Sequence, residues 1–191
     1  MQNMLTPANG FRPPFPDSII VNEGGDGQIS FVKGKTYRLR IISFAAFASA
    51  LIHFDSHTMT VIMNDGSYIK SNSAYQLRVA PAQRYDVLIS AIDRDRRNYP
   101  YLVALDINKD FANDANPQWP HNFTGQLVMD KALNFTTDVV GAFRPQDDSN
   151  FAPYDDGAAF GPVTKTLTMN FDFCTDQNGI GRYVCGSSLT D

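Results

Sequence analysis

Short runs of alternating apolar and polar residues, separated by turn residues, constrain this chain more than any other feature. In one run Tyr37, Leu39 and Ile41 alternate with two arginines and Ile42, which is the period of a half-buried strand. The sequence at 64–66 (NDG) is typical of a tight turn whose glycine adopts positive φ. No segment keeps the apolar period of an amphipathic helix. The pattern predicts an all-β fold, an antiparallel Greek-key sandwich or barrel of about nine strands.

The order of strands and turn-rich segments predicts how the chain is divided. Residues 1–16 end in a proline cluster and are predicted to be a linker from a preceding domain. Residues 17–141 hold most of the predicted strands, at 19–21, 29–32, 37–43, 59–63, 75–80, 84–91, 99–105 and 123–129. The proline-rich and aspartate-rich residues 142–162 are predicted to be a second linker. A strand and hairpin turn within 163–191 are predicted to be the first strands of an incomplete following domain.

Composition and charge exclude several classes of function. The 191 residues are 43% hydrophobic with a formal net charge of −4 and no basic block, so nucleic acid is not predicted as a partner. No apolar run approaches the roughly 20 residues of a membrane span. The first residues lack the apolar core of a signal peptide. The sequons at Asn122 and Asn134 nevertheless predict N-glycosylation and a secreted or cell-wall location. Two alternatives stay open: the protein is intracellular, or the chain is a piece whose leader lies elsewhere.

The histidines and cysteines were tested as metal ligands. A blue-copper site needs two His and a thiolate, and His53, His57 and His121 form no His-x-His pair. A packed or hydrogen-bonded role is predicted for His53 and His57 in preference to a shared metal site, and an exposed loop position for His121. Cys174 and Cys185 are equidistant from the predicted turn at 179–180, so a disulfide, two unpaired thiols and partners outside the chain all stay open. Neither cysteine has a nearby histidine, so a copper thiolate is not predicted.

Four segments in order carry a resemblance to a known family. They are 17–22 (DSIIVN), 34–42 (GKTYRLRII), 54–62 (FDSHTMTVI) and 82–89 (AQRYDVLI). Together they resemble the second, plastocyanin-like cupredoxin domain of fungal multicopper oxidases, a group that holds laccases, iron ferroxidases and pigment oxidases. The similarity extends over roughly residues 17–183.

The resemblance implies that the three cupredoxin domains of the parent enzyme have different roles. In that family the first and third cupredoxin domains bind copper through His-x-His pairs and a His-Cys-His run, while the second spaces them and helps to wall the substrate pocket. We therefore expect copper in the parent enzyme and none in this chain, flanking cupredoxin domains as partners, and no oxidase activity for the chain alone. His57 falls where the family's middle domain carries a histidine that is not a copper ligand.

Several positions of this sequence differ from the residues that ferroxidases and laccases carry there, and these differences indicate the branch of the family. Iron-oxidising members carry an acid just before this domain, whereas 12–16 (RPPFP) has none; Asp147 and Asp148 do align with a ferroxidase acidic pair. One laccase group carries an aspartate where Phe47 stands, and Phe47 could line a substrate pocket or simply pack. A laccase-like or pigment-type parent follows, coupling one-electron oxidation of phenolic substrates or metal ions to reduction of O2 to water. The alternative is a stand-alone, non-catalytic β-sandwich that binds or scaffolds.

Overall fold

The computed structural model describes residues 16, 18–46, 48–92, 97–106, 122–136, 140, 142–155, 161–175 and 181–190. The chain divides into two compact units, Pro16–Asp156 and a second unit made of Met1–Phe15 with Gly157–Asp191. Within the described residues the regular elements are eleven strands and two short 3-10 turns, which confirms the all-β prediction. No helix among them is long and apolar enough to cross a membrane.

The first unit contains nine strands in two sheets. They are β1 (Gln28–Ser30), β2 (Thr36–Ile42), β3 (Ala50–Phe54), β4 (Met59–Asn64), β5 (Ser67–Ala74), β6 (Gln76–Val79), β7 (Arg84–Ser90), β8 (Tyr99–Leu105) and β9 (Asn122–Val128). The five-stranded sheet has the order β1-β9-β8-β3-β6, and the four-stranded sheet has the order β2-β7-β4-β5. The strands of this unit pair antiparallel, apart from β1 and β9, which are parallel. One residue, Tyr75, separates β5 from β6, so the chain passes directly from one sheet to the other.

The core lies between the two sheets and follows from the alternation in the strands. Along β2 exposed and half-buried residues alternate, and along β7 the side chains of Tyr85, Val87 and Ile89 are buried. They belong to one apolar cluster with Leu77 and Leu127 of the five-stranded sheet. β8 is buried at every residue and is the central strand of the five-stranded sheet, between β9 and β3.

Two local predictions have opposite outcomes. The turn at 64–66 is confirmed, with positive φ at Asp65 (49°) and Gly66 (91°). The predicted strand at 19–21 is wrong, because no strand partner is recorded for these residues and a 3-10 turn, Asn22–Gly24, follows them. Ile19 and Val21 pack against the core as irregular chain, so their apolar character reflects burial rather than sheet pairing.

The first part of the predicted linker 142–162 is bound to the first unit. The first unit extends to Asp156, and residues 142–155, which we call the strap, lie on its surface. The strap contains a 3-10 turn, Asp148–Asn150, and an isolated bridge joins Pro153 to Ile69 of β5. The strap is therefore part of this unit.

The second unit contains a hairpin. Its strands β10 (Thr168–Thr175) and β11 (Gly181–Thr190) are antiparallel, with a register irregularity between Asp172 and Cys174. The pairing of β10 with β11 agrees with the predicted strands, while the predicted turn at 179–180 lies outside the described residues. That it opens a further domain stays a prediction.

Candidate functional site

His57 is the candidate ligand whose surroundings are best defined. It follows a tight corner between β3 and β4 in which Ser56 has a φ of 58° and the His57 amide donates to the Phe54 carbonyl at 3.1 Å. Its side chain is 1% exposed. Nδ1 lies 2.7 Å from the Asp55 carbonyl oxygen, and the Ile92 amide donates to Nε2 at 3.4 Å. Since Nε2 accepts, Nδ1 carries the proton and donates, which assigns the neutral tautomer.

Aromatic rings complete the environment of His57. The Tyr99 ring meets it edge-on at 4.8 Å between centroids, and the Phe31 ring does so at 6.2 Å. A copper ion would need a ring-nitrogen lone pair, and the acceptor nitrogen of His57 already faces a backbone amide. His57 therefore does not fit a copper site, and its packed, hydrogen-bonded role is as predicted.

Among the described residues, His53 and His57 belong to no group of metal-ligand side chains. His53 lies on β3, in register with Gln76 of β6 and Leu102 of β8. His121 lies outside the described residues. In the part of the chain that the structure describes, no three His, Cys, Asp or Glu side chains are grouped as metal ligands would be.

A polar cluster at the strap is the second candidate. Oδ2 of Asp148 accepts from Nε2 of Gln83 at 2.9 Å and from the hydroxyl of Tyr85 at 3.1 Å. Gln83 Nε2 also donates to the Tyr85 hydroxyl at 2.7 Å, and Phe151 packs edge-on against the Tyr85 ring. Burial, followed by the charge of Asp148, raises the pKa of Tyr85 above its ordinary value. The Tyr85 phenol thus stays protonated as a donor. The cluster joins the strap to the two sheets of the first unit, which together we call the barrel.

Asp147 and Asp148, which align with an acidic pair of ferroxidases, both have structural contacts in this cluster. Asp148 contacts the barrel, while Oδ1 of Asp147 accepts from the Ser149 amide at 3.0 Å and caps the short turn. Both carboxylates thus have structural contacts. Sequence reasoning missed Gln83 and Tyr85 as the partners of Asp148, since nothing in the local pattern links residues more than sixty positions apart.

A charged cluster covers the outer face of the four-stranded sheet. Arg38 donates from Nε to Oδ2 of Asp86 at 2.7 Å and also contacts it through Nη2, while Arg40 Nε lies 3.7 Å from the same oxygen. The hydrogen bond that Arg38 donates to Asp86 raises the pKa of Arg38. Tyr68 lies beneath the Arg38 guanidinium at 5.9 Å. The cluster shields the buried Asp86 from water.

The predicted pocket residue Phe47 lies outside the described residues. Its described neighbours are the end of β2 and the start of the following loop, where Ile42 is half exposed and Phe44 is 92% exposed. The role of Phe47 as a pocket wall stays a prediction.

The predicted modification sites are placed as follows. Asn122 begins β9, Asn134 follows that strand in an irregular segment, and both are exposed. Cys174 of β10 is in register with Arg182 of β11, three residues before Cys185. Glycosylation and the disulfide both stay predictions.

Comparisons with known proteins agree with one another. The profile of the multicopper oxidase family matches residues 2–123. The iron transport multicopper oxidase fetC of Epichloe festucae is 29% identical over 143 residues, covering 74% of this chain and 23% of that protein. The iron transport multicopper oxidase FET3 of Gibberella zeae is 28% identical over 158 residues, covering 82% and 25%. The chain thus spans about a quarter of the length of these relatives.

Solved structures give the same picture. The crystal structure of Fet3p, a multicopper oxidase that functions in iron import, matches with a TM-score of 0.79 and 26% identity, covering 89% of this chain and 32% of that one. This match confirms the predicted cupredoxin-like fold. The laccase of Botrytis aclada matches with a TM-score of 0.59 at 23% identity over 85% of this chain and 28% of that one, which shows the fold alone.

Proposed function

This chain belongs to the multicopper oxidase family, and we propose that it is the middle cupredoxin domain of a fungal enzyme of that family, a spacer that holds no copper. The observation that carries the proposal is His57, whose two ring nitrogens both face backbone groups. Its side chain contributes to the core rather than to a metal site. Flanking cupredoxin domains would carry the copper, and Phe47 would contribute one wall of the substrate pocket.

The parent enzyme would couple four one-electron oxidations to the reduction of one O2 and four protons to two waters. Ferrous iron is the first candidate substrate, because the relatives are named for iron transport. A laccase-like parent that oxidises phenolic or pigment-type compounds is the second candidate. The absence of an acid at 12–16 (RPPFP) favours it, because that acid would be a hard oxygen ligand for ferrous iron.

A secreted or cell-wall parent is part of the proposal. The exposure of Asn122 and Asn134 supports it, because a glycan attached at either asparagine would project into solvent. Peptide mass mapping of the protein from its native host, with and without an N-glycosidase, tests this point. Unmodified peptides at both positions would contradict it.

The spacer role is tested on the purified chain. We expect dialysis against cuprous or cupric ions, followed by a wash with a weak chelator, to leave far less than one copper per chain by elemental analysis. We also expect no blue absorption of a copper–thiolate site, and no uptake of O2 with ferrous ions or phenols above the rate measured without protein. Stoichiometric copper in the washed chain would overturn the proposal.

The position of the domain is tested on the gene. The coding sequence on both sides should encode His-x-His pairs upstream and a His-Cys-His run downstream, as the family resemblance implies. If neither is present and the chain is a cooperative, monodisperse monomer, the stand-alone scaffold reading replaces this one. Comparing kcat/KM of the full-length protein for ferrous ions and for phenols separates the two candidate substrates.

A further inference from the structure

The strap lies where both sheets have an edge. β5 ends the four-stranded sheet and β6 ends the five-stranded sheet, and among the strands that the structure describes each pairs with one, β4 and β3 respectively. Unpaired backbone groups along such edges attract extended segments. Since β5 and β6 are consecutive, their open edges form one continuous seam along the side of the barrel.

Backbone hydrogen bonds join the strap to both edges. On β5, the Lys70 amide donates to the Ala152 carbonyl at 2.9 Å, and the Tyr154 amide donates to the Tyr68 carbonyl at 3.0 Å. On β6, the Gln146 amide donates to the Gln76 carbonyl at 2.9 Å. The strap therefore adds to each sheet as an extended segment does when it binds a sheet edge.

The side chain of Gln76 recognises the strap as well. Its Oε1 accepts from the Arg144 amide, and its Nε2 lies 3.5 Å from the Ala142 carbonyl. A side-chain amide that bonds to two backbone groups of an extended chain holds it irrespective of the chain's own side chains. Gln76 thus positions the first part of the strap without specifying its sequence.

Sequence specificity comes from the middle of the strap. The short turn is closed by the Phe151 amide, which donates to the Asp148 carbonyl at 3.1 Å, and it directs both side chains toward Tyr85. Asp148 meets the Gln83 and Tyr85 donors, while Phe151 packs on the Tyr85 ring, which is 1% exposed. An acid and an aromatic residue three positions apart are the two anchors.

We propose that the seam is a peptide-binding groove and that the strap is its specific, separable occupant. The groove is formed by the β5 and β6 edges with Gln76, Gln83 and Tyr85. It takes an extended peptide in which an acid is followed at the third position by an aromatic residue. The strap is connected to β9 through the chain, but its docking in the groove is what determines where the chain leaves the barrel after residue 155.

The test uses the full chain and amide hydrogen exchange. The variant with Asp148→Ala and Phe151→Ala removes both anchors, and the variant with Asp155→Ala and Tyr154→Ala removes an exposed acid and an exposed aromatic residue as the matched control. In the anchor variant we expect exchange to quicken by about tenfold or more at the three strap-bonded amides, those of Lys70, Gln146 and Tyr154. Core amides of β7 should change by less than about twofold.

A synthetic peptide covering 142–155 then tests separability. In excess, it should restore protection at the Lys70 amide of the anchor variant, whereas a peptide with both anchor alanines should not. The proposal is overturned if the two peptides act alike, or if exchange quickens equally throughout the barrel. If the anchor variant does not fold, the chain with Asp148→Asn alone is measured instead. It should show quickened exchange at the same amides, by about threefold.

The result of the exchange and peptide experiments does not depend on whether the chain binds copper. The groove is defined by contacts within the Pro16–Asp156 unit, and it would hold equally in a stand-alone scaffold. A failed exchange experiment therefore leaves the spacer proposal standing, and copper binding by the chain would leave the groove proposal standing.

Discussion

Replacing Gly125 with alanine should destabilise the barrel through one identified contact. Gly125 of β9 lies opposite Tyr101 of β8, and a Cβ at this position would overlap Cζ, Cε1 and the hydroxyl of the Tyr101 ring. That ring is 3% exposed and packs against Phe54 and Phe123, with centroids at 5.4 and 6.2 Å.

The expected magnitude follows from these contacts. Overpacking in a core costs about 1–3 kcal/mol, and the overlap with three ring atoms places Gly125→Ala near 3 kcal/mol. In the background of Tyr101→Leu the ring is gone. There alanine should cost nothing, or stabilise by about 0.5 kcal/mol, because glycine within a strand is less favourable than alanine.

The measurement is urea unfolding followed by circular dichroism, giving the free energy of unfolding for the four members of the double-mutant cycle. Gly25→Ala is the control, because its Cβ would come no closer than 3.7 Å to the Asn22 carbonyl oxygen. An equal cost of Gly125→Ala with and without the Tyr101 ring would refute the reasoning.

Three further outcomes are expected. Burial and Asp148 raise the pKa of Tyr85, so above about pH 10 the unfolded chain loses a proton that the folded chain keeps, and stability falls with rising pH. Tyr85→Phe should reduce that slope in urea titrations at pH 8 to about 11, and an unchanged slope would exclude this group as its source. Tyr101→Phe should stabilise by about 1 kcal/mol in the same assay, because the buried Tyr101 hydroxyl has no partner among the described residues; a loss of stability would mean that a partner exists. His57→Ala should destabilise by about 3 kcal/mol, since it leaves a cavity and unpairs the Ile92 amide, and a cost below about 1 kcal/mol would contradict the structural role.

Much of the fold could be predicted because its signals are local. The alternation in β2 and the positive-φ turn at 64–66 depend on neighbouring residues, and the structure has both. β5 is less visible in the sequence, because it is an edge strand whose buried side chains are only Ile69 and Ala74. Its strand character comes from pairing with β4 and the strap, which a local pattern does not record.

The candidate site shows the same limit. That His57 is packed and hydrogen-bonded could be expected from the absence of a His-x-His pair and from the family resemblance. The strap was predicted as a linker because prolines and adjacent aspartates are typical of exposed chain. What fixes it is the Asp148 contact with Gln83 and Tyr85, which depends on the folded sheets.

The single residue between β5 and β6 has a mechanical consequence. Ala74 ends one strand and Gln76 begins the next, in different sheets, with Tyr75 alone between them. A load applied along β5 is therefore carried into the opposite sheet within one peptide unit, with no slack loop to absorb it. Shear of one sheet over the other would have to break strand pairing on both sides of Tyr75 at once. The barrel should transmit displacement as a stiff block rather than bend as a hinge.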